Sequence, residues 1–345
     1  MSSVSIEKPD LEEEIIDDAE SFDHRKESDD PGNDDLVTIS SLPKERGYLT
    51  DYFYQFQGFW YDQHFLRGAI WAQAHFKAQP TDIVLATYPK TGLTWLKALA
   101  FATMNRARLE NCPLLTKNPH DCVPYIEFQA YEKDPISALE SLPQPRLLST
   151  HIPYNSLPGS VLASNCKIVC ITRDPKDMFV SMLSFLSKIK VGNKEPISKD
   201  EAFGLFCNGV SLVGPLWDHV LGYWRASKES PERVLFLKYE DLKKGTLGNV
   251  EKLAEFLGCP FSSREKENGV MEEIVRFCSI DSLKKLEVNK RGFYHMGQES
   301  GVTVETGAFF RKGEVGDSKN HLSEEMVRRI DQITKDKFEP YGLKY

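Results

Sequence analysis

The chain has no Cys-x-x-Cys pair, and its seven cysteines are scattered and odd in number. That excludes a disulfide framework and fits a reducing compartment. Cys166 and Cys170 flank or lie within an apolar run, as buried packing residues do. No apolar stretch reaches the length of a membrane span, and the first residues lack the apolar core of a signal peptide. The expectation is a soluble, cytoplasmic protein with no membrane partner. His, Cys and Asp never cluster at metal-ligand spacing, so no bound metal is expected. Nothing resembles a nucleic-acid patch, and no internal repeat is found. The phosphate-loop pattern G-x-x-x-x-G-K-[ST] is missing too, and with it the hydroxyl that holds magnesium beside a nucleotide.

Among 345 residues, 51 acidic side chains oppose 43 basic ones. The excess is concentrated at the start. Residues 1–36 carry 14 acids and 3 bases, a net of −11 against −8 for the whole chain, so the remainder carries +3. We expect residues 1–40 to be an acidic, disordered leader and 41–345 a single domain. A mildly basic body suits an anionic ligand.

Four short apolar runs, Ile83–Tyr88, Arg146–Thr150, Lys167–Thr172 and Val234–Tyr239, are continuous rather than alternating. Such runs suit a parallel sheet covered on both faces. Helical stretches separate them, which predicts an α/β, three-layer fold with a central parallel sheet and right-handed crossovers. Leu42–Gly47 reads as a turn. The aromatic-rich span Tyr52–Phe76 reads as helix packed on the body.

Ligands of such sheets gather beyond the carboxyl ends of the strands. There the runs deliver Lys90, His151, Arg173 and Tyr239 to one rim, while the other seven histidines are expected to lie outside it. Lys90 sits in the turn Pro89-Lys90-Thr91-Gly92, ahead of a helical pattern through Leu96, Leu99, Ala100 and Met104. A cation and a glycine before a helix start make an anion site, or simply a βα turn with an exposed lysine. His151, at a strand end, is a candidate general base. In Arg173-Asp174-Pro175, Asp174 suits the N-cap and Pro175 the first helical position. Arg173 then stands at the positive end of a helix, a place for a cation that meets an anion, or for one paired with Asp174 or Asp177. Ser181 lies two turns along and offers a hydroxyl. From Gly292 to Asn320 there is little periodicity. Arg311-Lys312-Gly313 within it reads either as a mobile basic flap or as a solvated charged loop. Trp95 offers a face to a nucleobase, or belongs to the core.

Taken in order, Thr87–Trp95, Ser149-Thr150-His151, Thr172–Asp177 with Ser181, and Phe310-Arg311-Lys312-Gly313 resemble the cytosolic sulfotransferase family, closest to its plant flavonol and steroid branch. The resemblance covers nearly all of the chain after residue 40. It implies a P-loop-like phosphosulfate-binding loop and 3′-phosphoadenosine 5′-phosphosulfate (PAPS) as co-substrate, without a metal. Lys90, Thr91, Gly92, Leu93, Thr94 and Trp95 would cradle the 5′-phosphosulfate and adenine. Arg173, Ser181, Arg311, Lys312 and Gly313 would hold the 3′-phosphate, with Tyr239 at the adenine end. His151 would deprotonate the acceptor hydroxyl and Lys90 would meet charge on the leaving oxygen. The partner implied is a small hydroxylated acceptor. Aromatic residues at Tyr125, Phe128 and Tyr131 and from Phe56 to Tyr61 would suit a flat one.

The chain departs from the family pattern at Leu93, where a Thr or Ser is common, at Ser149, where many animal members have Lys, and at Ser318, where Trp is usual. The family's dimerisation signature is largely absent around Lys319–Arg328, so no oligomeric state is carried over. Two other readings stand beside this one: a P-loop kinase using ATP and magnesium, and a non-catalytic binder of the desulfated nucleotide PAP.

Overall fold

The computed structural model describes residues 39–189 and 197–345. The acidic stretch expected at 1–40 falls almost wholly outside them. The central sheet has four parallel strands: β4 (Ile83–Thr87), β5 (Leu147–Thr150), β6 (Lys167–Thr172) and β7 (Val234–Lys238), in the order β5-β4-β6-β7. Ala86 lies opposite Thr150 on one side and Cys170 on the other, and Thr172 lies opposite Lys238. Every residue of β4 and β5 is buried, so both sheet faces are covered by helices, as an unbroken Val/Ile/Leu run requires. This is the expected α/β architecture. Arg146 falls just before β5 rather than in it. Its guanidinium grips Asp82 with two bonds, Nε to Oδ1 at 2.8 Å and Nη2 to Oδ2 at 2.5 Å, tying the entrances of β4 and β5 together.

Tyr52–Phe76 is not one helix. β1 (Lys44–Arg46), β2 (Tyr52–Phe56) and β3 (Phe59–Tyr61) form an antiparallel sheet, and only Gln63–His75 is helical. The two-residue turn Gln57-Gly58 has positive φ at both positions, 51° and 84°, the geometry that joins tightly paired strands. Asp62 then caps the helix by accepting from Phe65 N at 2.8 Å. Leu42–Gly47, read as a turn, contains β1, whose Lys44 lies opposite Tyr54.

The stretch Gly292–Asn320 also holds more order than its sequence suggested. β8 (Phe293–His295) and β9 (Thr303–Glu305) pair antiparallel, followed by a 3-10 turn at Thr306–Phe309. Three-residue strands are too short to show periodicity. Cys166 and Cys170 are buried, as expected. Among the described residues no helix is long and apolar enough to cross a membrane.

Candidate active site

The loop after β4 is shaped by its backbone. Lys90 adopts a left-handed φ of 68° and Gly92 one of 118° at the N-cap of helix Leu93–Met104. A Cβ at Gly92 would come within 2.8 Å of the Tyr239 ring, so glycine is required there twice over, by conformation and by contact. The Thr91 hydroxyl points inward, donating to Tyr88 O at 2.7 Å and lying 3.0 Å from Ile171 O. It fastens the loop to the end of β6. The first amides of the Leu93–Met104 helix, ahead of Leu96 N, which donates to Gly92 O at 3.0 Å, have no carbonyl behind them, and such amides suit an anion. Leu93 is buried and apolar.

The Lys90 ammonium stands 3.7 Å over the Phe185 ring and 5.7 Å from that of Phe309. Burial lowers its pKa to about 7, and the charges of Lys188, Arg173 and Arg311 push the same way. A lysine so placed is stabilised by an incoming anion.

His151 follows β5. Its Nδ1 lies 2.7 Å from Thr87 O, a carbonyl that only accepts, so Nδ1 carries the proton and Nε2 keeps its lone pair. Among the described residues no hydrogen bond is made at Nε2. Burial, with Lys97, His219 and Lys90 adding to it, lowers the imidazole pKa to about 3 despite the Thr87 bond, so the ring is neutral. Its backbone N–H donates to Glu127 Oε1 at 2.7 Å. Glu127 arrives because residues 124–126 run alongside β5: Ser149 N donates to Pro124 O and Ile126 N to Ser149 O. The same pairing brings the Tyr125 ring to 5.1 Å from that of His151. Phe128 follows at 4.7 Å from Tyr125, and Phe65 lies 6.1 Å from His151. Tyr131 stacks on His64 at 4.2 Å, further along the same wall. From the other aromatic span, Phe59 reaches the ring of His219, 6.5 Å away.

Arg173 does pair with Asp177, at 3.3 Å, but inside the protein rather than on its surface. Its Nη2 also donates to Glu314 O at 2.6 Å, and its guanidinium lies 4.6 Å over the Tyr239 ring. Asp177 accepts from Gly316 N at 2.6 Å and Ser318 N at 2.9 Å. Thus the Arg311–Asp317 segment is strapped to the start of helix Pro175–Leu186. Asp317 pairs with Arg311 and, at 2.7 Å, with Lys312. The charged loop is therefore neither free nor simply solvated. Gly313, at φ 68°, would press a Cβ to 2.8 Å from Ile280. Ser181 is buried one turn beyond Asp177. Trp95 is buried and meets Tyr239 edge-on at 5.5 Å.

Two buried N–H donors on this rim, Arg173 Nε and Trp95 Nε1, find no hydrogen-bond partner among the described residues. Buried donors left unsatisfied beside a basic loop fit a nucleotide polyanion.

Sequence reasoning missed three groups. His120 was expected outside the rim, yet its Nε2 lies 3.0 Å from Thr94 Oγ1. His219, likewise misplaced, donates from Nε2 to the carbonyl of His151 at 3.0 Å. Glu127 carried no signal beyond its neighbours Tyr125 and Phe128.

The Sulfotransferase domain family matches residues 80–342, so the chain belongs to the sulfotransferases. Within them it stands with the plant cytosolic members and is a PAPS-dependent transferase. It is 45% identical to cytosolic sulfotransferase 12 of Arabidopsis thaliana over 324 residues, covering 91% of this chain and 96% of that one. It is 45% identical to flavonol 3-sulfotransferase of Flaveria bidentis over 310 residues, covering 88% and 98%. Among solved structures, an Arabidopsis thaliana putative steroid sulphotransferase superposes with a TM-score of 0.70 at 41% identity, covering 89% of this chain and 93% of that one. The kinase reading is thereby set aside.

Proposed function

We propose that the chain moves the sulfuryl group of PAPS to a hydroxyl of a small apolar acceptor, with His151 as general base. The observation that carries this is the tautomer of His151: Thr87 O holds the proton on Nδ1 and leaves Nε2 as a free acceptor, with the aromatic ring of Tyr125 nearby. The acceptor hydroxyl gives its proton to Nε2 as its oxygen attacks sulfur, a contribution of roughly 10²–10⁴-fold. A pKa near 3 is low for that task; burial sets most of it, with Lys97, His219 and Lys90 adding to it. Anionic charge beside Lys90 offsets the last of these and raises the pKa of the base.

Lys90 meets the negative charge that grows on the leaving oxygen, an interaction stronger in the transition state than in the ground state. Lys90 to Trp95 hold the phosphosulfate and adenine. Arg173, Ser181, Arg311, Lys312 and Gly313 hold the 3′-phosphate, and Tyr239 packs at the adenine end. A sulfuryl group carries less charge than a phosphoryl group, which accounts for a loop without a magnesium ligand. Phe65 and Tyr125 beside His151, with Phe128 and Tyr294 against Tyr125, offer flat apolar walls. A flavonol, a steroid or another phenol or alcohol fits them, in keeping with the names of the relatives. Relatives named cytosolic support a cytoplasmic location.

Labelled PAPS offered with a panel of hydroxylated acceptors tests the reading. Wild type is expected to label at least one class. His151→Ala is expected to lose transfer while binding PAP normally. Full turnover in that variant refutes the base assignment, and no transfer to any acceptor favours a PAP-binding homologue without activity.

A further inference from the structure

We propose that His120 is a positioning residue for the donor: a buried chain from Lys97 through His120 turns the Thr94 hydroxyl proton toward the anion held by the loop. The inference rests on reading Lys90–Trp95 as the donor site. Lys97 Nζ lies 3.0 Å from His120 Nδ1, and His120 Nε2 lies 3.0 Å from Thr94 Oγ1. Both Lys97 and His120 are buried. Among the described residues no carboxylate lies at ion-pair distance from Lys97; its ammonium stands 3.6 Å over the Tyr125 ring, a position that favours the charged form. Burial pulls its pKa well below the usual lysine range, against the opposing charges of Glu127 and Asp121.

As an ammonium, the form its place over the Tyr125 ring favours, Lys97 has only donors, and His120 Nδ1 then accepts. The ring proton is then on Nε2 and is donated to Thr94 Oγ1. A hydroxyl oxygen that accepts keeps its own hydrogen to give elsewhere. Thr94 is the second residue of the Leu93–Met104 helix, where the backbone amides also face the anion. With Leu93 carrying no hydroxyl, Thr94 is left to supply that donor. His120 is itself fixed from behind: its N–H donates to Asn118 Oδ1 at 2.9 Å, and Asn118 Nδ2 donates to the buried Asn289 at 2.8 Å. Neutral His120 and neutral His151 thus hold opposite tautomers, each set by its neighbour.

Calorimetric titration with PAP tests the relay. His120→Phe keeps a ring between Tyr125 and Phe309 but breaks the chain, and is expected to weaken PAP about tenfold. His120→Gln, which can accept and donate at once, is expected to recover most of that loss. Thr94→Val should match His120→Phe, and the double variant should be no worse than either alone. Equal affinity in wild type and His120→Phe, or losses that add, overturns the proposal. Nitrogen-15 histidine spectra of wild type give a check that needs no variant: His120 is expected as the Nε2–H tautomer and His151 as Nδ1–H. His120 in the Nδ1–H form overturns the relay. Wild-type protein that binds no PAP would instead remove the donor-site reading on which the relay stands.

Discussion

Lys90 stands among other cations, Lys188, Arg173 and Arg311. With its pKa near 7, it is about half deprotonated at neutral pH and largely so at pH 8, and a bound anion raises that value. PAP binding at pH 8 is therefore expected to take up protons, and affinity to fall as pH climbs from 7 toward the pKa of the bound form. Titrations in two buffers of different ionisation enthalpy measure the uptake; none at pH 8 would show that Lys90 does not meet the anion. Lys90, His151, Arg173 and Tyr239 were legible because each ends or closely follows an apolar run read as a strand. Lys97, His120 and Glu127 were not. Each acquires its meaning from a partner more than twenty residues away, as in the bond from His151 N to Glu127 or the contact of Lys97 with His120, and no local pattern encodes such a meeting.

At the scale of elements, the strap between Asp177 and the Gly316–Ser318 backbone decides whether the basic loop is held in place. Burial pushes the Asp177 carboxyl up, but the amides of Ser318 and Gly316 and the Arg173 charge pull its pKa below the usual carboxylate range, so it is ionised at neutral pH. Asp177→Ala frees two backbone amides and leaves Arg173 without its carboxylate. We expect PAP affinity to drop about tenfold or more and proteolysis to begin between Arg311 and Ser318; an unchanged cleavage pattern and affinity would show that the loop holds itself. The central strands were readable from their continuous apolar runs. The β2–β3 hairpin was not, because its dense aromatics mimic a helix face and the turn is only Gln57-Gly58. The β8–β9 hairpin is three residues to a side, below the length at which alternation can be recognised.

For the whole molecule, charge is unevenly shared, with an acidic first segment and a mildly basic remainder. Among the described residues the buried core runs from Tyr48 to Leu343. A chain beginning at Ile39 is expected to fold and to keep the kcat of the full protein, and loss of soluble, active enzyme on that deletion would assign the acidic segment a structural part. The family was legible from four motifs in order, a combination far more specific than any one of them. The acceptor was not, because aromatic walls read the same in sequence as ordinary core.

The strand order β5-β4-β6-β7 carries a further consequence. Lys90, in the loop after β4, is flanked by His151 just after β5 on one side and by Arg173 and Tyr239, just after β6 and β7, on the other. Tyr125, and Phe128 beyond it, belong to the β5 side, where residues 124–126 extend the sheet. In the proposed reading, the two substrates are served by opposite wings around that lysine. Re-cutting the β5 wing would redirect such an enzyme to a new alcohol while its nucleotide wing stays as it is, which makes the fold a ready chassis for altered specificity.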